Sequence, residues 1–472
     1  MRRALLPVLV AILVAGLGVA ALPAVQIEAS GPVRVAAAEL RGSLDRERTF
    51  ALPLAASHVA LHWSGQAAAQ LTVAFSVDGR TFGPPIPVER DEVGEARANG
   101  ETFGNLLLAG GARFVQVTSD RPLAHLSVLD LDAHGSGQNT LALGSVAAVA
   151  AAATTQPAVI SRAGWGANES LRFDSTGHEI WPPVFQSIQK LIVHHTATKN
   201  QDPDPAATVR AIYYYHAVTQ GWGDIGYNFL IDEAGRIYEG RHSRTYAAGE
   251  SPTGEDTAGN GVTAAHALGF NSGTVGIALL GTLTSQDATP AARDALGRLL
   301  AWIAAGHGID PHGSALYTNP VSGTQATFPN IAGHRDVNAT ECPGGLFYAT
   351  LPALRDAVAA LIATTPAPDF SLTLSPVSQS VRAGGSVGYT VTITSLNGFA
   401  GAVSLSVSGL ASGSSGSFSP TSVTPSATSP TATSVLTIRT ARTTRGTFTF
   451  TVTGTNGSLS RTTTGTLQVL KR

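Results

Sequence analysis

The sequence predicts a multidomain protein in which a central α/β domain, a mixed sheet with flanking helices, lies between two all-β sandwich domains. With 472 residues the chain exceeds one ordinary domain. Its first and last thirds contain short runs with the two-residue alternation of strands, whereas its middle third mixes such runs with capped helices. The 51 glycines and 26 prolines agree with many turns.

The chain begins with a signal-like segment. Met1-Arg2-Arg3 is a positively charged start, and an apolar run follows it to Ala24. This is the plan of a secretory signal, so we expect residues 1–24 to direct export. The expected location is therefore secreted or cell wall, with membrane attachment only if the segment is retained.

Residues 25–144 are expected to form the first β domain, a jelly-roll-like antiparallel sandwich. Asp78-Gly79 is a hairpin-turn pair that follows an alternating run. A carbohydrate-binding module and a plain structural spacer are both compatible with this pattern. The Ala-rich residues 145–158 and the TTPAP segment at 364–368 are expected to be linkers on either side of the central domain.

Residues 369–472 are expected to form an immunoglobulin-like sandwich without a disulfide. Phe448, Phe450 and Val452 share one face of a predicted strand, and threonines occupy the other. Seven basic residues against one acid give this part a net charge of +6, while the rest of the chain carries −8. The basic part either binds an anionic, phosphate-bearing polymer or only improves solubility. The overall charge of −2 argues against a nucleic-acid partner.

The central domain is expected to span residues 159–363. KLIVH at 190–194 reads as a short buried strand, and further strands are predicted near residues 227–231, 237–239 and 275–280. Helices are predicted from Asp204-Pro205 to about residue 218, from Thr289-Pro290 to about residue 305, and over residues 352–362.

Cys342 is the only cysteine of the chain and lies eight residues after His334. A single cysteine has no intrachain disulfide partner, which leaves a spare thiol, a reactive thiol or a metal ligand. The nearby imidazole favours the metal, and zinc in particular, because zinc takes thiolate and neutral imidazole ligands.

A second imidazole pair, His194-His195, lies at the end of the KLIVH strand. Adjacent strand residues point to opposite faces, so only one of the two can reach a shared site. Three protein ligands with one open position are typical of a catalytic zinc site, whereas four closed ligands are typical of a structural one.

Five motifs resemble the peptidoglycan recognition protein family and its relatives, the zinc N-acetylmuramoyl-L-alanine amidases. They stand in the family's order: ISRAGWGA (160–167), VHHTAT (193–198), YYHAVTQGWGDIGYNFLI (214–231), AHALGFNSGTVGIALLG (265–281) and GHRDVNATECPGG (333–345). The resemblance covers about residues 159–363.

The resemblance implies a site and a reaction. It implies His194, His334 and Cys342 as ligands of Zn²⁺, with Tyr227 and Thr340 as the catalytic residues beside the metal. The implied reaction is hydrolysis of the amide between N-acetylmuramic acid and L-alanine in peptidoglycan. We expect the glycan strand and stem peptide to contact four further residues, namely His195, His216, His266 and Asn271.

The retained thiol separates the two functions found in this family. Members that only bind peptidoglycan resemble the same pattern but lack the thiol ligand, so Cys342 favours a hydrolase. The alternative is a non-catalytic protein that adheres to peptidoglycan through its sandwiches.

Overall fold

The computed structural model describes residues 31–90, 100–134, 155–247, 249–364, 368–426, 429–457 and 459–471. The expected signal (1–24), most of the first linker (145–154) and residues 365–367 of the second linker lie outside these ranges. Within them, no helix has the length and apolar character needed to cross a membrane.

The N-terminal part is all-β, as expected. Its strands are β1 (Ala36–Leu44), β2 (Glu47–Ser64), β3 (Leu71–Ser76), β4 (Ile86–Val88), β5 (Glu101–Phe103), β6 (Leu107–Ser119) and β7 (Leu123–Asp132). Hydrogen bonds join them into one seven-stranded sheet in the order β1-β7-β2-β6-β3-β4, with β5 beside β2. We expected a two-sheet sandwich here, and the structure has a single sheet instead.

The long strand β2 explains the difference. It has 18 residues and pairs with β5, β6 and β7, and its register with β6 shifts twice between Ala51 and His58. Such irregularities bend a strand and increase its twist. A continuous sheet can therefore fold over its own apolar core, which includes Leu61, Val115 and Val128.

The central part is α/β, as expected. Its strands are β8 (Val159–Ile160), β9 (Phe185–Gln186), β10 (Lys190–His195), β11 (Phe229–Ile231), β12 (Ile237–Glu239), β13 (Gly261–Val262), β14 (Thr274–Leu279), β15 (Ser314–Thr318), β16 (Gln325–Pro329) and β17 (Ile331–Gly333). Its helices are α1 (Pro205–Tyr214), α2 (Pro290–His307), α3 (Gly345–Tyr348) and α4 (Leu351–Thr364). Short 3₁₀ turns span Glu169–Arg172 and His334–Asp336.

The main sheet has the order β17-β10-β14-β11-β12-β8 and is mixed. Strand β10 is parallel to both β14 and β17, whereas β11 and β12 are antiparallel. Helices α2 and α4 cover one face, and α1 covers the other. All six residues of β10 are buried, which is typical of a central strand in a covered parallel sheet.

The helix starts follow the predicted capping residues. The Asp204 side chain accepts a hydrogen bond from the Ala207 N–H, and the Thr289 side chain accepts one from the Ala292 N–H. The helical segment reaches Thr219, close to the expected end, but α1 itself stops at Tyr214 and the last turn, Tyr215–Thr219, is π-helical. Such turns are frequent at functional sites, and this one carries His216.

The C-terminal part forms two facing sheets. Its strands are β18 (Asp369–Ser375), β19 (Ser378–Arg382), β20 (Ser386–Leu396), β21 (Val403–Ser408), β22 (Ser415–Ser419), β23 (Ser422–Val423), β24 (Thr431–Arg439), β25 (Gly446–Asn456) and β26 (Leu459–Leu470). The sheets have the orders β18-β20-β24-β22 and β19-β26-β25-β21-β23. Phe450 and Val452 are fully buried between them, in keeping with the predicted alternation.

Candidate active site

The central strand β10 positions the histidine pair. Its last two residues, His194 and His195, point to opposite faces, and both are buried. The ring of His195 is fixed on its own side, where Nδ1 accepts a hydrogen bond from the Leu283 N–H at 3.0 Å. His194 is left to face the loop that follows β17.

That loop carries His334 and Cys342. Strand β17 ends at Gly333, and Asp336 holds the next turn by accepting a hydrogen bond from the Gly333 N–H at 2.8 Å. The Arg335 N–H donates to the Cys342 carbonyl at 3.0 Å, which brings the loop back on itself. Because β10 and β17 are parallel neighbours, this loop lies beside the end of the strand that carries His194.

The two imidazoles and the thiol converge. One potential ligand atom from each of His194, His334 and Cys342 lies within 4.8 Å of the other two, and all three residues are buried. The Cys342 Sγ is 3.6 Å from the His194 Nδ1, and the two imidazole ring centres are 4.5 Å apart. Thiolate and imidazole donors at this separation suit a zinc ion.

The hydrogen bonds around His334 support a metal-binding role. Its Nε2 lies 3.1 Å from the Asn338 Oδ1, an acceptor, so Nε2 is the protonated nitrogen. Its Nδ1 is buried and has no hydrogen-bond partner in the described part of the chain. A buried lone pair without a donor costs free energy unless something binds it, and a metal ion would do so.

A chain of hydrogen bonds fixes His194 in the same way. The Thr274 hydroxyl donates to the Phe270 carbonyl at 2.6 Å, so its oxygen must accept from the His266 Nε2 at 3.2 Å. The His266 Nδ1 then accepts from the His194 Nε2 at 3.1 Å. The lone pair of His194 therefore lies on Nδ1, the atom that faces Cys342.

The burial of these rings keeps them neutral. Loss of solvent lowers the pKa of His194 well below its usual range, helped by the neighbouring imidazoles, and lowers the pKa of His334 to about 4. Burial also lowers the pKa of His266 to about 3. Neutral imidazole is the form that binds a metal, so the group is ready to do so at neutral pH.

A cleft of about 350 Å³ opens onto this group. His334 and Cys342 line it, so one side of the candidate metal site faces the cleft. Tyr227 and Thr340 line it as well, and the Tyr227 ring centre is 5.5 Å from that of His194. The Thr340 hydroxyl oxygen accepts a hydrogen bond from the Cys342 N–H at 3.0 Å, which leaves its own proton to donate elsewhere.

The four expected substrate contacts divide into two pairs. His195 and His216 line the cleft, and the His216 Nδ1 accepts a hydrogen bond from the Gly226 N–H at 3.1 Å. His266 is fully buried behind His194 and does not line the cleft. Asn271 does not line it either, because its Oδ1 accepts from the His266 and Ala267 N–H groups at 2.8 and 2.7 Å. His266 and Asn271 thus lie behind the ligand His194, and substrate contact by them stays a prediction.

Sequence reasoning missed several residues of this site. Thr274 orients His194 through His266, and Asn338 orients His334. Asn338 follows His334 by four residues, a spacing that is typical of a turn. Glu89 and Asn105 line the cleft from the N-terminal sheet. They lie about 100 residues before His194 in a part of the chain with no motif, so only the fold reveals them.

Comparisons with known proteins concern the same central part. The family model described as N-acetylmuramoyl-L-alanine amidase matches residues 184–345. Peptidoglycan-recognition protein SC2 of Drosophila simulans is 31% identical over 189 residues, which cover 39% of this chain and 80% of that protein.

Two further similarities concern the same part of the chain. The human N-acetylmuramoyl-L-alanine amidase is 30% identical over 201 residues, 41% of this chain but only 27% of that protein. Among solved structures, wild-type Drosophila PGRP-LB is 29% identical, with 42% of this chain and 94% of that chain covered and a TM-score of 0.30. The motifs and the identity to relatives covered over most of their length agree: the chain belongs to the peptidoglycan recognition protein family.

Proposed function

We propose that this protein is a zinc-dependent amidase that hydrolyses the bond between N-acetylmuramic acid and L-alanine in peptidoglycan. The observation that carries the proposal is the buried group His194, His334 and Cys342, whose imidazoles are neutral and which is open on one side to a cleft. Binding alone does not require a thiol that faces the His194 Nδ1 beside a His334 Nδ1 without a hydrogen-bond partner among the described residues. The amidase family model and the human amidase support the same reaction.

The chain's own residues have clear tasks in such a reaction. Zinc held by this group would supply an activated water and polarise the scissile carbonyl. Tyr227 and Thr340 line the cleft next to the ligands, where their hydroxyl groups can donate to the carbonyl oxygen as it gains charge. Tyr227, His334 and Cys342 are buried at the inner end of the cleft, and reduced solvation there strengthens these hydrogen bonds.

The alternative is peptidoglycan binding without hydrolysis. Relatives such as peptidoglycan recognition protein 1 of Bos taurus carry recognition rather than hydrolysis in their names.

We further propose that the protein acts outside the cell, in the wall, because its first 24 residues have the pattern of a secretory signal.

Metal content and digestion of purified peptidoglycan separate the two functions. We expect the full chain to hold about one zinc ion and to release free stem peptides, and Cys342→Ser to lose both properties. His334→Ala should behave like Cys342→Ser. His312→Ala is the matched control, since His312 is an exposed residue paired with Asp356 away from the cleft.

Two results would contradict the hydrolase. One is a wild-type protein that binds peptidoglycan but releases no stem peptide with zinc present. The other is full cleavage by Cys342→Ser, which would show that the thiol is not part of the reaction.

A further inference from the structure

The N-terminal sheet packs directly against the central domain. One apolar cluster contains Ala60, Leu129 and Leu131 of the sheet together with Ala207 and Ala211 of α1. Polar groups cross the same boundary. The His58 Nε2 lies 2.8 Å from the Thr208 Oγ1, the Arg210 Nε donates to the Ala133 carbonyl at 2.9 Å, and the Tyr215 hydroxyl donates to the Gly104 carbonyl at 2.7 Å.

This contact brings the sheet to the edge of the candidate active site. Eight of the residues that line the cleft belong to the N-terminal part, and we call them the front wall: Ala69, Gln70, Pro87, Val88, Glu89, Arg90, Asn105 and Leu106. The rest of the lining includes His334, Cys342 and Tyr227. The cleft is thus a space between two domains, and a molecule that reaches the ligands also meets the front wall.

Asn105 joins the front wall to the loop after β10. It is buried; its Oδ1 accepts from the Glu89 N–H at 3.0 Å, and its backbone N–H donates to the Glu89 carbonyl at 2.7 Å. Its Nδ2 donates to the Ala197 carbonyl at 2.6 Å. Ala197 has a φ of 51°, unusual for a residue with a side chain, and lies three residues after His194. The Asn105 side chain therefore connects the front wall to the loop of the central domain that follows His194.

Glu89, whose backbone is hydrogen-bonded to Asn105, is an ionisable residue of the front wall. Its side chain is partly buried, and burial together with the negative charge of Glu341 raises its pKa. Glu341 lines the cleft from the opposite domain, next to Cys342. A partly desolvated carboxylate gains most from a hydrogen-bond donor that enters the cleft, and a peptide offers amide N–H and ammonium donors.

We propose that the front wall is part of the substrate site, in which Glu89 accepts hydrogen bonds from N–H groups of the stem peptide and Asn105 positions Glu89. The proposal rests on the proposed function for its substrate class. It adds a specificity-determining carboxylate from a domain outside the amidase family match, which spans residues 184–345.

Kinetics of the full chain on a soluble muropeptide test this proposal. We expect Glu89→Gln to raise KM at least about fivefold, since a hydrogen bond to a charged group is weakened. The kcat, the zinc content and the melting temperature should stay near wild type. Glu47→Gln is the matched control, because Glu47 lies on β2 of the same sheet, is exposed and does not line the cleft.

The role of Asn105 has its own readout. Asn105→Ala should raise KM with zinc retained, and the double variant Asn105→Ala/Glu89→Gln should raise KM no further than the larger single effect. Effects that multiply in the double variant would contradict positioning through Glu89. Unchanged KM in both Glu89→Gln and Glu89→Ala would overturn the whole proposal.

Binding measurements test the front-wall proposal independently of whether the protein is a hydrolase. If the wild type cleaves nothing, calorimetric titration of the same muropeptide into wild type and Glu89→Gln still applies. Weaker binding by the variant would support the front wall although the hydrolase had failed, and equal binding would reject the front wall.

Discussion

Tyr227 is the side chain through which the proposed reaction is most directly tested. It is buried but lines the cleft, and its ring lies beside those of His194 and His216. Tyr227→Phe removes one hydroxyl and keeps the ring. We expect kcat to fall about 100-fold, the usual loss of one donor to a developing oxyanion, with zinc content unchanged.

The control for Tyr227→Phe is Tyr317→Phe. The Tyr317 hydroxyl donates to the Ser272 carbonyl at 2.7 Å, outside the cleft lining, so that variant should keep its kcat. The rate of stem-peptide release in a stopped assay gives the kcat of both variants. An unchanged kcat in Tyr227→Phe would remove Tyr227 from the reaction.

The buried histidines predict a pH dependence of stability. Burial lowers the pKa of His58, His216 and His266 to about 3 and that of His195 and His334 to about 4. In the unfolded chain these groups bind protons near pH 6.5. Between about pH 4 and 6.5 the unfolded state therefore binds more protons, so the free energy of unfolding falls as the pH falls.

The measurement is thermal unfolding of chelator-treated protein at pH 7 and pH 5. We expect a clearly lower melting temperature at pH 5. The buried Glu239 opposes this trend, because burial raises its pKa to about 7. Burial also raises the pKa of Glu89, Asp130 and Asp202, but the five histidines outnumber these carboxyl groups. A melting temperature that is equal or higher at pH 5 would contradict the prediction.

At the scale of single elements, β14 holds the ring that orients His194. A Cβ on Gly276 would lie 2.3 Å from the His266 ring, so no other residue fits without moving that ring. We expect Gly276→Ala to lower zinc affinity by about 10- to 100-fold, as loss of an orienting partner does. Competition with a chelating dye measures the affinity.

A matched substitution controls for the strand itself. Gly388 lies in β20, where a Cβ would have its nearest neighbour, the Val435 side chain, at 3.9 Å, so Gly388→Ala should leave zinc affinity unchanged. Wild-type affinity in Gly276→Ala would show that His266 does not support His194.

The elements also show how far the sequence could predict this protein. The capping residues Asp204 and Thr289 predicted the starts of α1 and α2, and the apolar run Leu191-Ile192-Val193 indicated a covered strand, because these signals are local. The depth of His266 and the change from α-helix to π-helix after Tyr214 depend on packing between distant segments. Local patterns carry no information on such packing, so these details needed the structure.

The residues of the candidate site also fall into two groups, those indicated by local motifs and those revealed only by packing. The motifs indicated His194, His334 and Cys342, and the structure brings these three together. They did not indicate that another domain forms one side of the cleft, because Glu89 and Asn105 are reached only through the packing of the N-terminal sheet on α1.

At the scale of the whole molecule, the C-terminal sandwich carries the basic charge. Arg382, Arg439 and Arg442 are exposed, and we propose that this surface binds an anionic wall polymer. Replacing all three by Gln should weaken sedimentation of the full chain with polymer-bearing walls and reduce its salt dependence. Hydrolysis of a soluble muropeptide should not change.

The control for this prediction is the wall sample. Walls stripped of their anionic polymer should bind wild type and variant alike. Equal binding of the two proteins to intact walls at low salt would leave the basic residues with a role in solubility only.

The placement of the ligands at the ends of two parallel strands has a consequence for how the protein matures. His194 and Cys342 are separated by 148 positions along the chain, and they meet only once β10 and β17 are paired. Closing a loop of this length costs conformational entropy before the contact can form, so the complete ligand group exists only in a chain whose β10 and β17 are paired. Under the proposed function, a chain whose sheet has not yet formed would lack the zinc site and would not hydrolyse peptidoglycan.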